Sequence, residues 1–230
     1  MTNKYILIFG ASRGIGKALT LKFAEDENNR VIALSRNEKA METAFNRPNI
    51  DYYYFDLEDG ERKAKLMAVL KRYPHLDIVI NNAGKLVNKP FLELTREDIR
   101  TSYETNIMGV IETTQIVVQK MIQKGGHIVN ISTIGGFQGS VKFPGLTAYS
   151  TSKAAVTSFT ELFAEEYKDT KIVMNCLCLG ATQTEMLEEA FPDYQAPVSA
   201  EEMAGFIFDF ANNAHRFMKG KIIPVSLSTP

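Results

Sequence analysis

Tyr149 and Lys153 are the two side chains of this sequence best suited to proton transfer. They lie four residues apart at the start of a helical pattern, so a phenol and an ammonium would share one helix face. A free tyrosine titrates near pH ~10, and a cation about 4 Å away contributes at most about 4 kcal/mol at an effective dielectric of about 20. That interaction could bring the phenol near neutral pH, although the same spacing also occurs in exposed helical pairs without function.

A glycine-rich turn follows the first apolar run and could bind a dinucleotide. Its sequence, Gly10-Ala-Ser-Arg-Gly14-Ile-Gly16, leads directly into a helical pattern. Glycines here allow a tight turn and a close approach of the backbone to a pyrophosphate, whose charge is favoured by a helix N-terminus. The spacing differs from the general G-x-G-x-x-G fingerprint, so its position after a first strand carries the prediction.

The end of the second apolar run indicates which dinucleotide would bind. NAD-specific sites usually place a carboxylate here for the ribose 2′-hydroxyl, whereas this sequence has Ser35-Arg36. Arg36 and Arg13 could form forked hydrogen bonds with a 2′-phosphate, or they could be two solvated arginines. We expect NADP(H), with NAD(H) as the less favoured cofactor.

The elements that would position these residues alternate between short apolar runs and longer amphipathic segments. Several runs are continuously apolar, which is typical of strands buried on both faces of a parallel sheet. The predicted strands are Lys4–Phe9, Arg30–Ser35, Ile50–Phe55, Leu76–Ile80, His127–Ser132, Ile172–Leu177 and Lys221–Leu227.

Alternation of strands and helices predicts a doubly wound α/β fold of the Rossmann type. We expect one domain over residues 1–230, with a seven-stranded, mostly parallel sheet and helices on both faces. Residues 181–199 lack periodicity and are expected to form a substrate loop or a plain connection. The predicted helices are Ile15–Glu25, Gly60–Arg72, Arg96–Lys124 (capped by Thr95), Ala148–Lys168 and Ala200–Asn212.

Together, the motifs occur in the order of a known family. With the glycine turn, Asn82-Ala83-Gly84 after the fourth strand, Asn106 in the long helix and Tyr149-Ser-Thr-Ser-Lys153, the chain resembles a classical short-chain dehydrogenase/reductase (SDR). The resemblance extends from about residue 4 to residue 186. It implies an oxidoreductase that interconverts a carbonyl and an alcohol by hydride transfer.

The resemblance also implies a role for each matching residue. Tyr149 would be the general acid/base, Lys153 would bind the nicotinamide ribose and lower the tyrosine pKa, and Asn106 would hold a relay water. The implied cofactor-binding residues are Gly10, Ser12, Arg13, Gly14, Ile15, Gly16, Arg36, Asp56, Leu57, Asn82, Ala83, Gly84, Tyr149, Lys153, Gly180, Thr182 and Thr184.

Three segments depart from the family pattern. The family has a serine at the end of the fifth strand, as the last residue of an Ile-Ser-Ser run that reads Ile131-Ser132-Thr133 here. Thr133 therefore matches by position, and either its hydroxyl or that of the neighbouring Ser132 could orient the substrate. The extra stretch Gly139–Gly145 is expected to reshape the substrate pocket. Leu179-Gly180 stands where the family often has Pro-Gly.

Composition narrows the remaining possibilities. A net charge of −1 gives no general attraction to nucleic acid or anionic membrane, and no apolar run is long enough to cross a bilayer. We expect a cytoplasmic homodimer or homotetramer acting on a small molecule, without a metal.

Cys176 and Cys178 are expected to be free buried thiols on opposite sheet faces. The three histidines are expected to be isolated at the surface or at edges.

Two alternatives stay open at this stage. The chain could be a 3-oxoacyl thioester reductase of fatty-acid type, with Lys85, Lys89 and Lys142 as candidates for receiving an acidic carrier protein. It could also be a catalytically silent dinucleotide sensor or scaffold. Retention of the tyrosine, lysine and asparagine argues against a pure binder.

Overall fold

Seven parallel strands form one sheet in the computed structural model, which describes residues 3–227. The spatial order is β3-β2-β1-β4-β5-β6-β7, so the chain winds outward from β1 in one direction and then from β4 in the other. A crevice therefore opens where the carboxyl ends of β1 and β4 diverge. The strands are β1 (Tyr5–Phe9), β2 (Arg30–Ser35), β3 (Ile50–Tyr54), β4 (Ile78–Asn81), β5 (Gly126–Thr133), β6 (Ile172–Leu179) and β7 (Ile222–Val225).

Helices cover both faces of the sheet. One face packs against α1 and α8, and the opposite face packs against α3, α5 and α6. The helices are α1 (Gly14–Phe23), α2 (Glu38–Ala44), α3 (Arg62–Leu70), α4 (Arg96–Tyr103), α5 (Gly109–Met121), α6 (Thr147–Glu166), α7 (Glu185–Ala190) and α8 (Ala200–Asn213). The predicted doubly wound fold is confirmed.

Burial on both faces explains why the strands read as continuous apolar runs. In β1, Ile6 and Ile8 lie in the core under α1 and α8, whereas Leu7 and Phe9 lie in the core on the other side. All four side chains are almost completely buried. Successive strand residues point to opposite faces, so a strand covered on both sides has no polar alternation.

The long helix predicted over residues 96–124 is divided in the structure. Thr95 caps its start by accepting a hydrogen bond from the Asp98 backbone N–H at 3.1 Å. A π-helical turn, Glu104–Met108, then separates α4 from α5. Such turns insert one residue into the helical repeat and are frequent at functional sites.

Two short helices were not predicted. α2 begins after Asn37, whose side chain caps it, and α7 begins after Thr184, which caps it in the same way. The segment 181–199, expected to be a loop, therefore contains one helix. Helices of six or seven residues are too short for apolar periodicity to reveal.

Two further expectations are corrected. His127 is buried rather than at an edge: Ala211 O lies 2.9 Å from Nδ1, and burial lowers the pKa of this imidazole to about 4. Cys176 and Cys178 are free and buried, as expected, but they share one core cluster because residues two apart on a strand face the same side.

Residues 3–227 contain no helix with the length and apolar character to cross a lipid bilayer.

Candidate active site

A cleft of about 950 Å³ lies at the carboxyl ends of the strands, where the topology predicts a ligand site. All the predicted site residues line it except Gly16, which packs against Gly10, and Asn106, which lies close to Gly84. The lining residues predicted from sequence are Gly10, Ser12, Arg13, Gly14, Ile15, Arg36, Asp56, Leu57, Asn82, Ala83, Gly84, Ser132, Thr133, Tyr149, Lys153, Gly180, Thr182 and Thr184.

The glycine turn is packed too closely to accept side chains. Gly10 has a positive φ of 78°, and a Cβ there would lie 2.7 Å from the Ala83 Cα. A Cβ on Gly16 would lie 2.0 Å from the Gly10 carbonyl oxygen. Asn82 supports the turn, since its Nδ2 donates to the same oxygen at 3.0 Å. The turn thus joins β1 to α1 in a single geometry that requires glycine.

The start of α1 is suited to a phosphate group. Arg13 occupies the N-cap position with an extended backbone, and its side chain makes no capping hydrogen bond. The first-turn N–H groups of α1 therefore have no side-chain cap, as at helix N-termini that bind anions. Across the cleft, the Thr182 hydroxyl is buried and has no hydrogen-bond partner among the described residues. Both features fit a dinucleotide in the cleft.

The two arginines expected to bind a 2′-phosphate are close to carboxylates. Arg13 makes a forked pair with Glu189, whose second contact, from Nη2 to Oε2, is 3.1 Å. Arg36 Nη1 lies 3.5 Å from Glu58 Oε1, which also accepts a hydrogen bond from Thr105. Both guanidinium groups remain half-exposed at the rim. They are thus held beside the cleft by acidic partners that sequence analysis did not identify.

Tyr149 and Lys153 occupy the first turns of α6 and face the cleft. The Lys153 Nζ donates to the Ile131 carbonyl oxygen at 2.9 Å, and burial lowers the pKa of Lys153 to about 8. Burial raises the pKa of Tyr149 to about 12, opposite in direction to the lowering that the resemblance implies. With the ammonium bonded to main-chain oxygens, desolvation of the phenolate dominates the tyrosine pKa.

Asn106 connects the π-turn to the active-site end of α6. Its Oδ1 accepts from the Lys85 backbone N–H at 2.8 Å, and its Nδ2 donates to the Lys85 carbonyl and to Ser152 Oγ, both at 2.9 Å. The Ser152 hydroxyl in turn donates to the Tyr149 carbonyl at 2.8 Å. A Cβ on Gly84 would contact both Asn106 and Lys153, at 3.4 and 3.3 Å. The widened helical turn thus brings the amide next to the lysine.

Ser132 and Thr133 differ in what their hydroxyls can do. The buried Ser132 hydroxyl donates to the Lys153 carbonyl at 2.9 Å, so its only proton is already used. The Thr133 hydroxyl accepts from the Gly135 N–H at 3.3 Å and retains a proton that it can donate. Thr133 is thus the better donor to a substrate oxygen.

Apolar side chains enclose the end of the cleft beyond Tyr149. Phe143, from the extra stretch, lines it, as do Met186, Leu187 and Phe191 from α7 and the residue after it. Phe137, which follows the end of β5, packs instead against a core cluster under α6. Val141 and Tyr194 also line the cleft and belong to the stretches 139–145 and 181–199, which were expected to form the pocket. Sequence analysis missed other lining residues because no motif marks them: Asn37, Leu86 and Leu146.

Comparison with known proteins shows which family the chain is similar to. The family model described as short chain dehydrogenase matches residues 4–195. A 3-oxoacyl-[acyl-carrier-protein] reductase FabG of Thermotoga maritima is 30% identical over 98% of this chain and 97% of its own. Carbonyl reductase [NADPH] 2 of Sus scrofa is 34% identical over 74% of this chain and 68% of its own.

Solved structures with similar folds include one described as ElxO with NADP bound. It has 28% sequence identity and a TM-score of 0.86, and the match covers 98% of each chain. A short-chain type dehydrogenase/reductase from Mycobacterium marinum has 26% identity and a TM-score of 0.88, covering 98% of this chain and 94% of its own.

Proposed function

The chain belongs to the short-chain dehydrogenase/reductase family, and on that premise we propose that it reduces a small carbonyl compound to an alcohol with NADPH. It is an oxidoreductase acting on CH–OH groups, rather than the silent sensor that the sequence left open. The observation that carries the proposal is the convergence of Tyr149, Lys153 and Asn106 beside the glycine turn. When bound, the nicotinamide supplies the hydride.

Tyr149 gives the proton in this proposal. Burial raises the pKa of Tyr149 to about 12, so the phenol carries its proton at neutral pH. A general acid works best when its pKa lies near the operating pH, so in this proposal the ammonium of Lys153 and the bound cofactor would have to lower the pKa of the phenol during turnover. Thr133 donates a hydrogen bond to the same oxygen. Lys153, held by Ile131 O, places its ammonium below the site and would bind the ribose hydroxyls. Asn106 holds the main chain of Lys85, and its side chain lies close to Lys153 beside Gly84.

NADP(H) is proposed as the cofactor. The two half-exposed arginines at the rim support it, as does Ser35-Arg36 at the end of β2, where an NAD-specific site would place a carboxylate. The relatives support it as well, since one is named for NADPH and one similar structure contains NADP. The proposal includes a cytoplasmic homo-oligomer in which α4, α5 and α6 form the main contact.

A second candidate is reduction of a 3-oxoacyl thioester, which the names of several relatives favour. The proposed receiving lysines are already engaged, however. Lys89 bonds to Asp98 at 2.7 Å, Lys85 lies 3.6 Å from Glu58, and Lys142 donates to Ser140 Oγ at 3.0 Å. These contacts weaken the case for a basic patch that receives an acidic carrier protein.

The test is consumption of NADPH with a panel of substrates. The panel contains ketones, aldehydes and 3-oxoacyl thioesters, the last both free and attached to a carrier protein. We expect turnover with small carbonyl compounds, and a Tyr149→Phe variant should lose about 10²- to 10⁴-fold in kcat because the proton donor is missing.

Binding controls separate chemistry from cofactor affinity. Tyr149→Phe should retain NADPH binding, and a Tyr167→Phe variant, changed at the far end of α6, should keep full activity. Full activity of Tyr149→Phe on a confirmed substrate would rule out the proton-transfer role. Much faster turnover of carrier-bound thioesters than of free ones would favour the second candidate.

A further inference from the structure

Helix α7 places two carboxylates against the proposed phosphate-binding region. Glu185 and Glu189 are four residues apart and share one helix face. Glu189 makes the forked pair with Arg13, and Glu185 Oε2 lies 3.4 Å from where a Cβ on Gly14 would be. Glu189 thus binds the arginine, and Glu185 lies beside the glycine turn; the proposed cofactor would contact both features.

A carboxylate at these positions resembles a phosphate oxygen in its chemistry. The N-terminus of α1 attracts anions, and a guanidinium forms forked hydrogen bonds with carboxylates and phosphates alike. The bond with Arg13 also holds the pKa of Glu189 below its ordinary value, so this carboxylate is charged at neutral pH.

The rest of α7 borders the substrate end of the same cleft. Met186 and Leu187 line that end, followed by Phe191. A second contact ties this part of the chain across the cleft, since Asn88 Nδ2 donates to the Ala190 carbonyl at 3.0 Å. The helix therefore touches both the proposed phosphate site and the proposed substrate site.

We propose that Glu185 and Glu189 determine cofactor affinity by competing with the cofactor phosphates. Glu189 competes with the 2′-phosphate for Arg13, and Glu185 competes with the pyrophosphate at the start of α1. Displacement of Glu189 by a 2′-phosphate removes one of the contacts that hold α7 over the cleft. This inference rests on the proposed NADP(H) dependence.

The expected change in NADPH affinity follows from the solvent exposure of the Arg13–Glu189 ion pair. The Arg13 and Glu189 side chains are 44% and 62% exposed, so solvent screens their attraction. Exposed ion pairs of this kind correspond to a change in affinity of about two- to fivefold. Removing Glu189 should therefore tighten NADPH binding by that factor.

The experiment compares two variants that remove the same charge from the same helix. In Glu189→Gln the bond to Arg13 loses its charge; in Glu188→Gln the affected contact is with Gln183 Nε2, at 2.7 Å. Binding of NADPH and NADH to each full-length variant is measured by calorimetry. Glu189→Gln should tighten NADPH about two- to fivefold more than Glu188→Gln does, and should leave NADH unchanged. Glu185→Gln should tighten both cofactors equally, because both carry the pyrophosphate.

Equal NADPH affinities of Glu189→Gln and Glu188→Gln would overturn the competition at Arg13. A Glu189→Gln variant that tightened NADH as much as NADPH would also overturn it, because NADH lacks the 2′-phosphate. The underlying cofactor assignment has a separate readout: unchanged NADPH and NADH affinities in an Arg13→Ala variant would refute the 2′-phosphate role, whatever the glutamate variants do.

Amide exchange tests the link to the substrate end. Residues 185–191 should exchange faster with saturating NADPH than with saturating NADH, because the 2′-phosphate takes Arg13 from Glu189. Identical exchange with the two cofactors would overturn this link.

Discussion

The polar partners of each candidate active-site residue determine which of its atoms are free to form a further hydrogen bond. Sequence could predict Tyr149 and Lys153 as a pair because both lie on one helix and their spacing sets their common face. It left Ser132 and Thr133 undecided, because their partners belong to α6 and to the turn after β5. Similarly, nothing local pairs Arg13 with Glu189, which is 176 residues away.

The two hydroxyls at the end of β5 give the first prediction. Thr133→Val removes a free donor at nearly constant shape, so kcat should fall about 10²- to 10³-fold, as when one donor to a developing oxyanion is lost. Ser132→Ala removes only a bond to the Lys153 carbonyl. Its kcat should stay within a few-fold of wild type while stability falls by about 1 kcal/mol. Steady-state kinetics and urea unfolding of both variants measure this, and a Ser132→Ala enzyme as impaired as Thr133→Val would contradict it.

At the scale of elements, strands and long helices were predictable and the interruption of a helix was not. The segment 96–124 has continuous helical periodicity, yet the π-turn Glu104–Met108 lies within it. Residues that are distant in sequence form ion pairs with this turn. Arg62, at the start of α3, is buried and bonds to Glu104 in the turn and to Glu112 in α5. Such a contact between distant segments leaves no periodic signal in the sequence.

Arg62 is accordingly expected to be a main support of the turn that carries Asn106. Arg62→Ala would leave Glu104, whose side chain is 14% exposed, without its cationic partner, and should lower the free energy of unfolding by about 3 kcal/mol. Arg100→Ala is the matched control. Arg100 pairs with Glu97 at the surface, so its loss should change stability by less than about 1 kcal/mol. Urea denaturation compares the two, and equal losses would show that the buried pair does not stabilise the turn.

At the scale of the whole molecule, the strand order of the doubly wound sheet determines where the cleft lies, independently of the side chains that line it. Runs such as Val31–Leu34 are buried throughout, which is why their apolar continuity predicted a covered parallel sheet. The exchange of winding direction beside β1 then sets the site at the carboxyl ends of β1 and β4. The apolar substrate end was less predictable, because it is built from loops and from α7, which have no repeating pattern.

The free energy of unfolding should also depend on the protonation of Lys153, which is buried beside the cleft. Lys153 is 3% exposed, and burial lowers its pKa from the ordinary 10.5 to about 8. Between these values the unfolded chain keeps a proton that the folded protein has released, so the free energy of unfolding should rise with pH through this window, by on the order of 3 kcal/mol. Tyr149 has the opposite effect only above about pH 10, where the unfolded phenol ionises first. Lys153→Met does not titrate there. Urea unfolding of both proteins from pH 7 to pH 10 should therefore show wild type gaining stability relative to Lys153→Met, whereas a constant difference would mean that the buried ammonium is not disfavoured.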